Sequence, residues 1–166
     1  MIRTGREVYE WETAPEQWSD IKEHLPRLRE VARGQVLEIG TRDGVSTGAL
    51  LAGVEEHGGH VTSLDIVDCS RLFAGHPQWT FVRADSKLFP PMGVELLFID
   101  GDHSFRGVLG DLERFAPHAQ HVLLHDTDAA DWPGVREAVE MFTSMRPEWE
   151  VTYREGSYGM GELRRR

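Results

Sequence analysis

Five short apolar runs, most of them separated by helix-like stretches, constrain this chain more than any other feature. They are "VLEIG" (36–40), "VTSLDI" (61–66), "WTFVRAD" (79–85), "VELLFID" (94–100) and "HVLLHD" (121–126). "STGALLAGVEEHG", "FRGVLGDLERFAPH" and "PGVREAVEMFTSM" carry helical apolar spacing, and the last opens on proline as a helix start should. Strands alternating with helices build βαβ units and a parallel sheet. The link "CSRLFAGHP" is short, and the two prolines of "KLFPPMG" allow only a brief turn of helix. The tail differs. "WEVTYR" and "GMGELRR" are separated only by "EGSY", which permits an antiparallel hairpin and no helical crossover.

The predicted fold class is therefore α/β: a Rossmann-like, doubly wound, seven-stranded sheet, mostly parallel, with a C-terminal antiparallel hairpin. A chain of 166 residues suits one core and is short for two. One domain over residues 1–166 is expected, with a helical segment at 1–35 and the Rossmann-like core at 36–166. In the first segment Thr13 and Glu16 have the spacing of a capping box, predicting a helix over "TAPEQWSDIKEHL". "PRLREVAR" adds a second helical piece ending at Gly34.

A net charge of −10 argues against nucleic acid or an anionic membrane as partner, since both reward basic patches. The terminal "RRR" is too short to reverse that balance. No apolar run has the length of a bilayer span, and "MIRTGREVYEWE" lacks the apolar region of a signal peptide. The lone cysteine, Cys69, excludes an internal disulfide and fits a reducing, cytoplasmic setting. The short first segment leaves apolar surface that a second subunit could cover, so a homodimer is a possible assembly.

Doubly wound sheets bind ligands beyond the carboxyl ends of their strands. "VLEIGTRDGVST" places Glu38, Gly40, Thr41, Gly44 and Ser46 at the first such turn. Its glycines are spaced G-x-x-x-G, without the middle glycine that lets a dinucleotide pyrophosphate approach, which favours a ligand with no phosphate there. Asp65 ends the second strand, where an acidic side chain grips ribose hydroxyls in such folds, with Asp68 a nearby competitor for that role. Asp85 and Ser86 follow the third strand, placed to meet an adenine edge or to cap a turn.

The stretch "ELLFIDGDHSF" sets Asp100, Asp102 and His103 directly behind a buried strand, and Asp126 ends the next. Adjacent strands lie about 5 Å apart, so carboxylates at the ends of the fourth and fifth can converge on one ion. Clustered acids repel without a cation, and two oxygen ligands with room for water suit Mg2+. His125 and Asp126 are strand neighbours, so they should point to opposite faces, leaving His125 a packing residue. Ser104 or Asp102 is expected to cap the following helix. Trp132 and Tyr158 sit in loops near the rim, whereas Trp11, Trp18, Trp79 and Trp149 read as packing residues.

Together, "VLEIGTRDGVSTGALLAG", "VTSLDI", "FVRADS", "LLFIDGDHSFRGVLGDLERF" and "HVLLHDTD" resemble the class I S-adenosylmethionine-dependent methyltransferases. The first loop resembles the metal-dependent O-methyltransferases of the catechol type. "IDGDHSF" is closer to macrocin-type sugar O-methyltransferases and their cephalosporin-hydroxylase-like relatives. The resemblance implies that Glu38, Gly40 and Gly44 border the methionine part of the cofactor, with Ser46 close to its carboxylate and Thr41 among the cofactor-binding residues of the same loop. It further implies that Asp65 holds the ribose and that Asp85 and Ser86 lie near the adenine. Asp100 and Asp126 fall at the family's metal aspartates, Thr127 stands where the catechol-type site has asparagine, and His103 matches the catalytic lysine.

The function expected is metal-assisted methylation of a hydroxyl on a small molecule, a sugar, phenol or secondary metabolite, with S-adenosylmethionine and Mg2+ or another divalent cation. The metal lowers the hydroxyl pKa, His103 takes the proton with Asp100 beside it, and the oxygen attacks the methyl in line. Alternatives are a non-catalytic S-adenosylmethionine-binding or accessory subunit, and an NAD-binding oxidoreductase, against which the glycine spacing and the hairpin count. Metal-assisted hydrolysis would leave Gly40, Gly44 and Asp65 without a role.

Overall fold

Five α-helices and seven strands follow one another among the described residues, 2–166, of the computed structural model. The helices are α1 (Gly5–Glu12), α2 (Leu25–Val31), α3 (Val45–His57), α4 (Phe105–Phe115) and α5 (Pro133–Met145). The strands are β1 (Gly34–Ile39), β2 (Gly59–Asp65), β3 (Trp79–Arg83), β4 (Val94–Ile99), β5 (Ala119–His125), β6 (Trp149–Arg154) and β7 (Met160–Arg165). They form one seven-stranded sheet in the order β3-β2-β1-β4-β5-β7-β6. Strands β1 to β5 pair in parallel, while β7 runs antiparallel to both β5 and β6. The seven-stranded sheet with its terminal hairpin is as the sequence predicts. The connections from β2 to β3 and from β3 to β4 contain turns only.

Alternation along β4 divides the core. Leu97 and Ile99 face a layer with Val108, Leu112 and Phe115 of α4 and Val135 and Phe142 of α5. Leu96 and Phe98 face the other layer, with Leu28 of α2 and Leu50 and Val54 of α3. Helix α3 is buried from Ser46 through Val54, polar residues included, because α1 and α2 cover the side that would otherwise meet water.

The N-terminal segment departs from expectation. Its capping box is Thr4 with Glu7, and Thr13 ends that helix, sending its hydroxyl back to the Tyr9 carbonyl at 2.7 Å. Residues beyond Thr13 form turns and a short 3-10 helix, Lys22–His24. Lys22 Nζ holds this stretch by donating to the carbonyls of Ala14 and Gln17, both at 2.6 Å. The choice between the two boxes is made by packing. Glu55 of α3 accepts the free amides of Gly5 and Arg6 at 2.8 and 2.9 Å. A Cβ on Gly48 would overlap the Val8 side chain. Gly48→Ala should therefore push α1 away and cost about 1–3 kcal/mol, the usual penalty for overpacking, read by thermal unfolding. An unchanged midpoint would mean that α1 does not dock this closely.

Candidate active site

At the carboxyl ends of β1, β2 and β4 the sheet opens into a cavity of about 980 Å³. That volume holds a nucleoside-sized molecule together with a second small one. Its far wall comes from the N-terminal segment, through Glu12, Gln17, Trp18 and Asp20. Arg42 reaches across to Asp20 at 3.2 Å. The short first segment thus supplies a wall of the cavity.

Gly40 lies at the base of the first loop with φ of 96°, a conformation that side chains avoid, and a Cβ there would fall on the Asp100 carbonyl oxygen. Its amide donates to Leu64 O at 2.9 Å. Asp65 fixes the loop beyond it. Its Oδ2 accepts the amides of Thr41 and Arg42 at 2.9 and 3.0 Å, and Oδ1 accepts that of Val67 at 2.9 Å. Oδ2 is thereby filled, while Oδ1 retains acceptor capacity toward the cavity that Asp65 lines. Helix α3 has no side-chain cap, which leaves first-turn amides for a ligand anion.

Two expected members of this loop stand back from the cavity. Gly44 is the left-handed residue that starts α3, and its outer side faces Leu72 and Phe73. Glu38 is fully buried beneath the loop, where it accepts hydroxyl hydrogen bonds from Ser46 and Thr47 at 2.7 Å and from Ser63 at 2.6 Å. Trp79 Nε1 donates to the same Ser63 oxygen at 3.0 Å. Burial pushes the Glu38 carboxyl up to about 7 despite these donors. Ser46 lines the cavity, but its single hydroxyl proton is committed to Glu38.

The raised Glu38 value has a consequence for stability. Its ordinary value is 4.5, so between pH 4.5 and about 7 the folded protein holds a proton that the unfolded chain releases. Stability from this group is greatest below that window and declines as pH rises through it. The decline amounts to about 3 kcal/mol at ~1.4 kcal/mol per pH unit. Glu38→Gln should flatten the pH dependence of the melting temperature between pH 5 and 7. Parallel curves for the two proteins would contradict the assignment.

Asp85 and Ser86 line the cavity beyond β3, and Asp85 Oδ1 also accepts the Lys87 amide at 2.9 Å, a turn-forming bond. Asp111 of α4 also lines the cavity, a residue that the sequence pattern does not single out. It is buried at the cavity wall, and desolvation pushes its carboxyl up to about 6. Ser104 caps α4 by accepting the Gly107 amide at 3.1 Å, while Asp102 accepts the Ser104 amide at 2.9 Å.

At the other end of the cavity, Asp100, His103 and Asp126 converge. His103 Nε2 is 3.3 Å from Asp100 Oδ1 and 3.1 Å from Asp126 Oδ2. The hydrogen bond and charge of Asp100, with Asp126 adding to them, raise the His103 pKa against its burial. Burial raises that of Asp126, whereas the histidines hold Asp100 low in spite of burial. Trp132 packs on His103, ring centroids 5.1 Å apart.

His125 corrects the sequence reading. Its Nδ1 stands 3.4 Å from both Asp100 Oδ1 and Asp126 Oδ1, so strand neighbours share one site. The reason is local: β5 ends at His125, and Asp126 has φ of 62°, which breaks the two-face alternation. Burial opposes charge on His125, but Asp100 and then Asp126 outweigh it and carry its pKa up to about 9. Thr127, expected as a third metal position, is buried against Gly159 and Gly161 and does not line the cavity. Among the described residues, ligand-type atoms of Asp100, His125 and Asp126 lie within 4.8 Å of one another. Trp18 also departs from its expected packing role: it is 78 % exposed on the cavity wall, and Trp11 is 58 % exposed, whereas Trp79 and Trp149 are buried.

Residues 37–127, more than half of the chain, match a family described as "Methyltransferase domain". The chain belongs to that family, and its sheet is the class I methyltransferase fold that the sequence predicts. Among solved structures, the Podospora anserina methyltransferase PaMTH1, solved with SAH, aligns with a TM-score of 0.70 at 15% identity, over 96% of this chain and 86% of that one. The Bacillus cereus O-methyltransferase, also with SAH, aligns with a TM-score of 0.64 at 17% identity, over 98% and 90%. The MycE methyltransferase of mycinamycin biosynthesis, in complex with Mg, SAH and mycinamycin VI, gives 0.65 at 16% identity over 99% of this chain. This chain spans only 55% of MycE. A comparison with curated proteins gives no match. Among the described residues, no helix is long and apolar enough to cross a membrane.

Proposed function

We propose that this chain transfers a methyl group from S-adenosylmethionine to a hydroxyl of a small molecule, with a divalent cation at the β4–β5 end of the cavity. The observation that carries the reading is the division of one cavity into two chemistries. Gly40, Thr41, Ser46 and Asp65 gather at one end, and Asp100, Asp126 and His103 at the other. MycE, solved with Mg and SAH together, gives precedent for that pairing within this fold. We further propose that the chain acts as a single unit, since residues 12–21 wall the cavity made by the sheet.

The donor set fits a cation: two carboxylates and an imidazole nitrogen within 4.8 Å of one another. Such an ion, held by Asp100 and Asp126, would lower the pKa of an acceptor hydroxyl. The remaining work falls to the chain's own residues. Asp65 offers Oδ1 as an acceptor for a ribose hydroxyl, and the uncapped α3 amides offer donors for a carboxylate. Asp85, Ser86 and Asp111 border the place left for the adenine. His103, with Nε2 between the two aspartates, stands where it can accept the hydroxyl proton. Trp132 covers its outer face and limits water there.

The test is a transfer assay with methyl-labelled S-adenosylmethionine and a panel of sugars, phenols and hydroxylated macrolides, with and without chelator. Label should pass to at least one hydroxyl acceptor and fall on chelation. Transfer that is indifferent to chelation removes the cation, and transfer only to nitrogen acceptors removes the hydroxyl class.

A further inference from the structure

Resting on the cation reading above, we infer that His125 is the third protein ligand of the ion, through Nδ1, in place of Thr127. It follows that the site selects metals that accept imidazole nitrogen, Mn2+, Co2+ or Zn2+, over Mg2+.

The left-handed backbone at Asp126 turns the end of β5 so that His125 faces both aspartates, with Nδ1 at 3.4 Å from an oxygen of each. The far side of the ring is tied down: Nε2 donates to the Ser157 carbonyl at 2.7 Å. A backbone acceptor on Nε2 keeps a proton on that nitrogen, so that Nδ1, facing the carboxylates, is the atom that gives up its proton to a bound cation, the arrangement that metal-binding histidines use. Ser157 is itself fixed, with φ of 39° in the β6–β7 turn and Oγ accepting the Glu23 amide at 3.2 Å. His24 abuts the imidazole edge-on, centroids 6.0 Å apart, and the His125 side chain is only 1% exposed. The ring therefore cannot swing away from the carboxylates. Thr127 is directed at Gly159 and Gly161 and competes for no position. Magnesium binds almost wholly through oxygen, whereas imidazole favours the later divalent ions.

The experiment uses the full chain, stripped with chelator and titrated calorimetrically with Mn2+, Co2+, Zn2+ and Mg2+ in turn, followed by pulsed electron paramagnetic resonance of the Mn2+ form. Mn2+ and Co2+ should bind at least tenfold more tightly than Mg2+. The resonance should show a directly bonded 14N that survives His103→Ala and vanishes in His125→Asn. Because His125 is buried, that variant has a second arm that leaves it intact: 15N-histidine labelling in the His103→Ala background should convert the 14N signal to 15N. Mn2+ binding without a histidine nitrogen, or Mg2+ binding as tightly as Mn2+, overturns the inference and leaves the cation reading standing. No binding of any of the four ions overturns both.

Discussion

Asp126→Asn is expected to lower the turnover of methyl transfer by roughly 10²- to 10⁴-fold, the range of a lost general-base arrangement, without weakening the fold. Asparagine is the replacement that isolates charge from shape, because it tolerates the left-handed backbone that Asp126 adopts at φ 62°. The amide keeps a contact to His103 Nε2, now 3.1 Å from a carboxylate oxygen, but no longer attracts a cation. Stability should move the other way or not at all. Burial and the neighbouring Asp100 charge both raise the Asp126 pKa, which means that its ionised form is disfavoured in the folded protein. A site that gives up stability for chemistry gains stability when the chemistry is removed. Steady-state kinetics beside thermal unfolding checks both halves. Undiminished turnover would remove Asp126 from the reaction.

The second large effect is expected at Gly40. Gly40→Ala puts a methyl group onto the Asp100 carbonyl oxygen and forces a residue with a side chain to φ 96°. Left-handed strain and overpacking together cost about 2–4 kcal/mol. The cost falls on the contact between the first loop and the end of β4, so it disturbs both halves of the cavity. Affinity for the nucleoside ligand should drop by roughly 30-fold or more, as ~1.4 kcal/mol is tenfold. Gly110→Ala is the control, since a Cβ there meets nothing within 4 Å and the position is an ordinary turn of α4. It should leave binding alone and stabilise the helix by about 0.5–1 kcal/mol. Equal behaviour of the two variants would show that Gly40 is merely a turn residue.

The centre of the sheet was legible because β1, β4 and β5 are buried on both faces and therefore read as unbroken apolar runs. The hairpin was legible because four residues cannot hold a crossover. Less legible were features decided by contacts distant in sequence. Thr4 and Thr13 both have glutamate three residues on, and only the fit of Gly5 and Val8 against α3 chooses between them. Glu38 carries the spacing of a cofactor loop, but its side chain follows the strand alternation inward, to hydroxyls of α3 and β2. His125 was misplaced because the alternation rule holds only while the strand lasts, and the chain leaves β geometry at Asp126. The left-handed turn that reverses the expectation has no composition signal, aspartate being common everywhere. Trp18 was read as packing because tryptophan usually is; its exposure follows from the turns after Thr13, which Lys22 ties together.

The claim beneath all of this is that the glycine loop, Asp65 and the β3 turn form one nucleoside pocket. Calorimetric titration of the purified chain with S-adenosylhomocysteine tests it most directly. The account predicts a single site per chain, weakened at least tenfold by Asp65→Ala and little changed by His103→Ala. No heat with S-adenosylhomocysteine from the folded protein, or equal binding by the Asp65 variant, would contradict it.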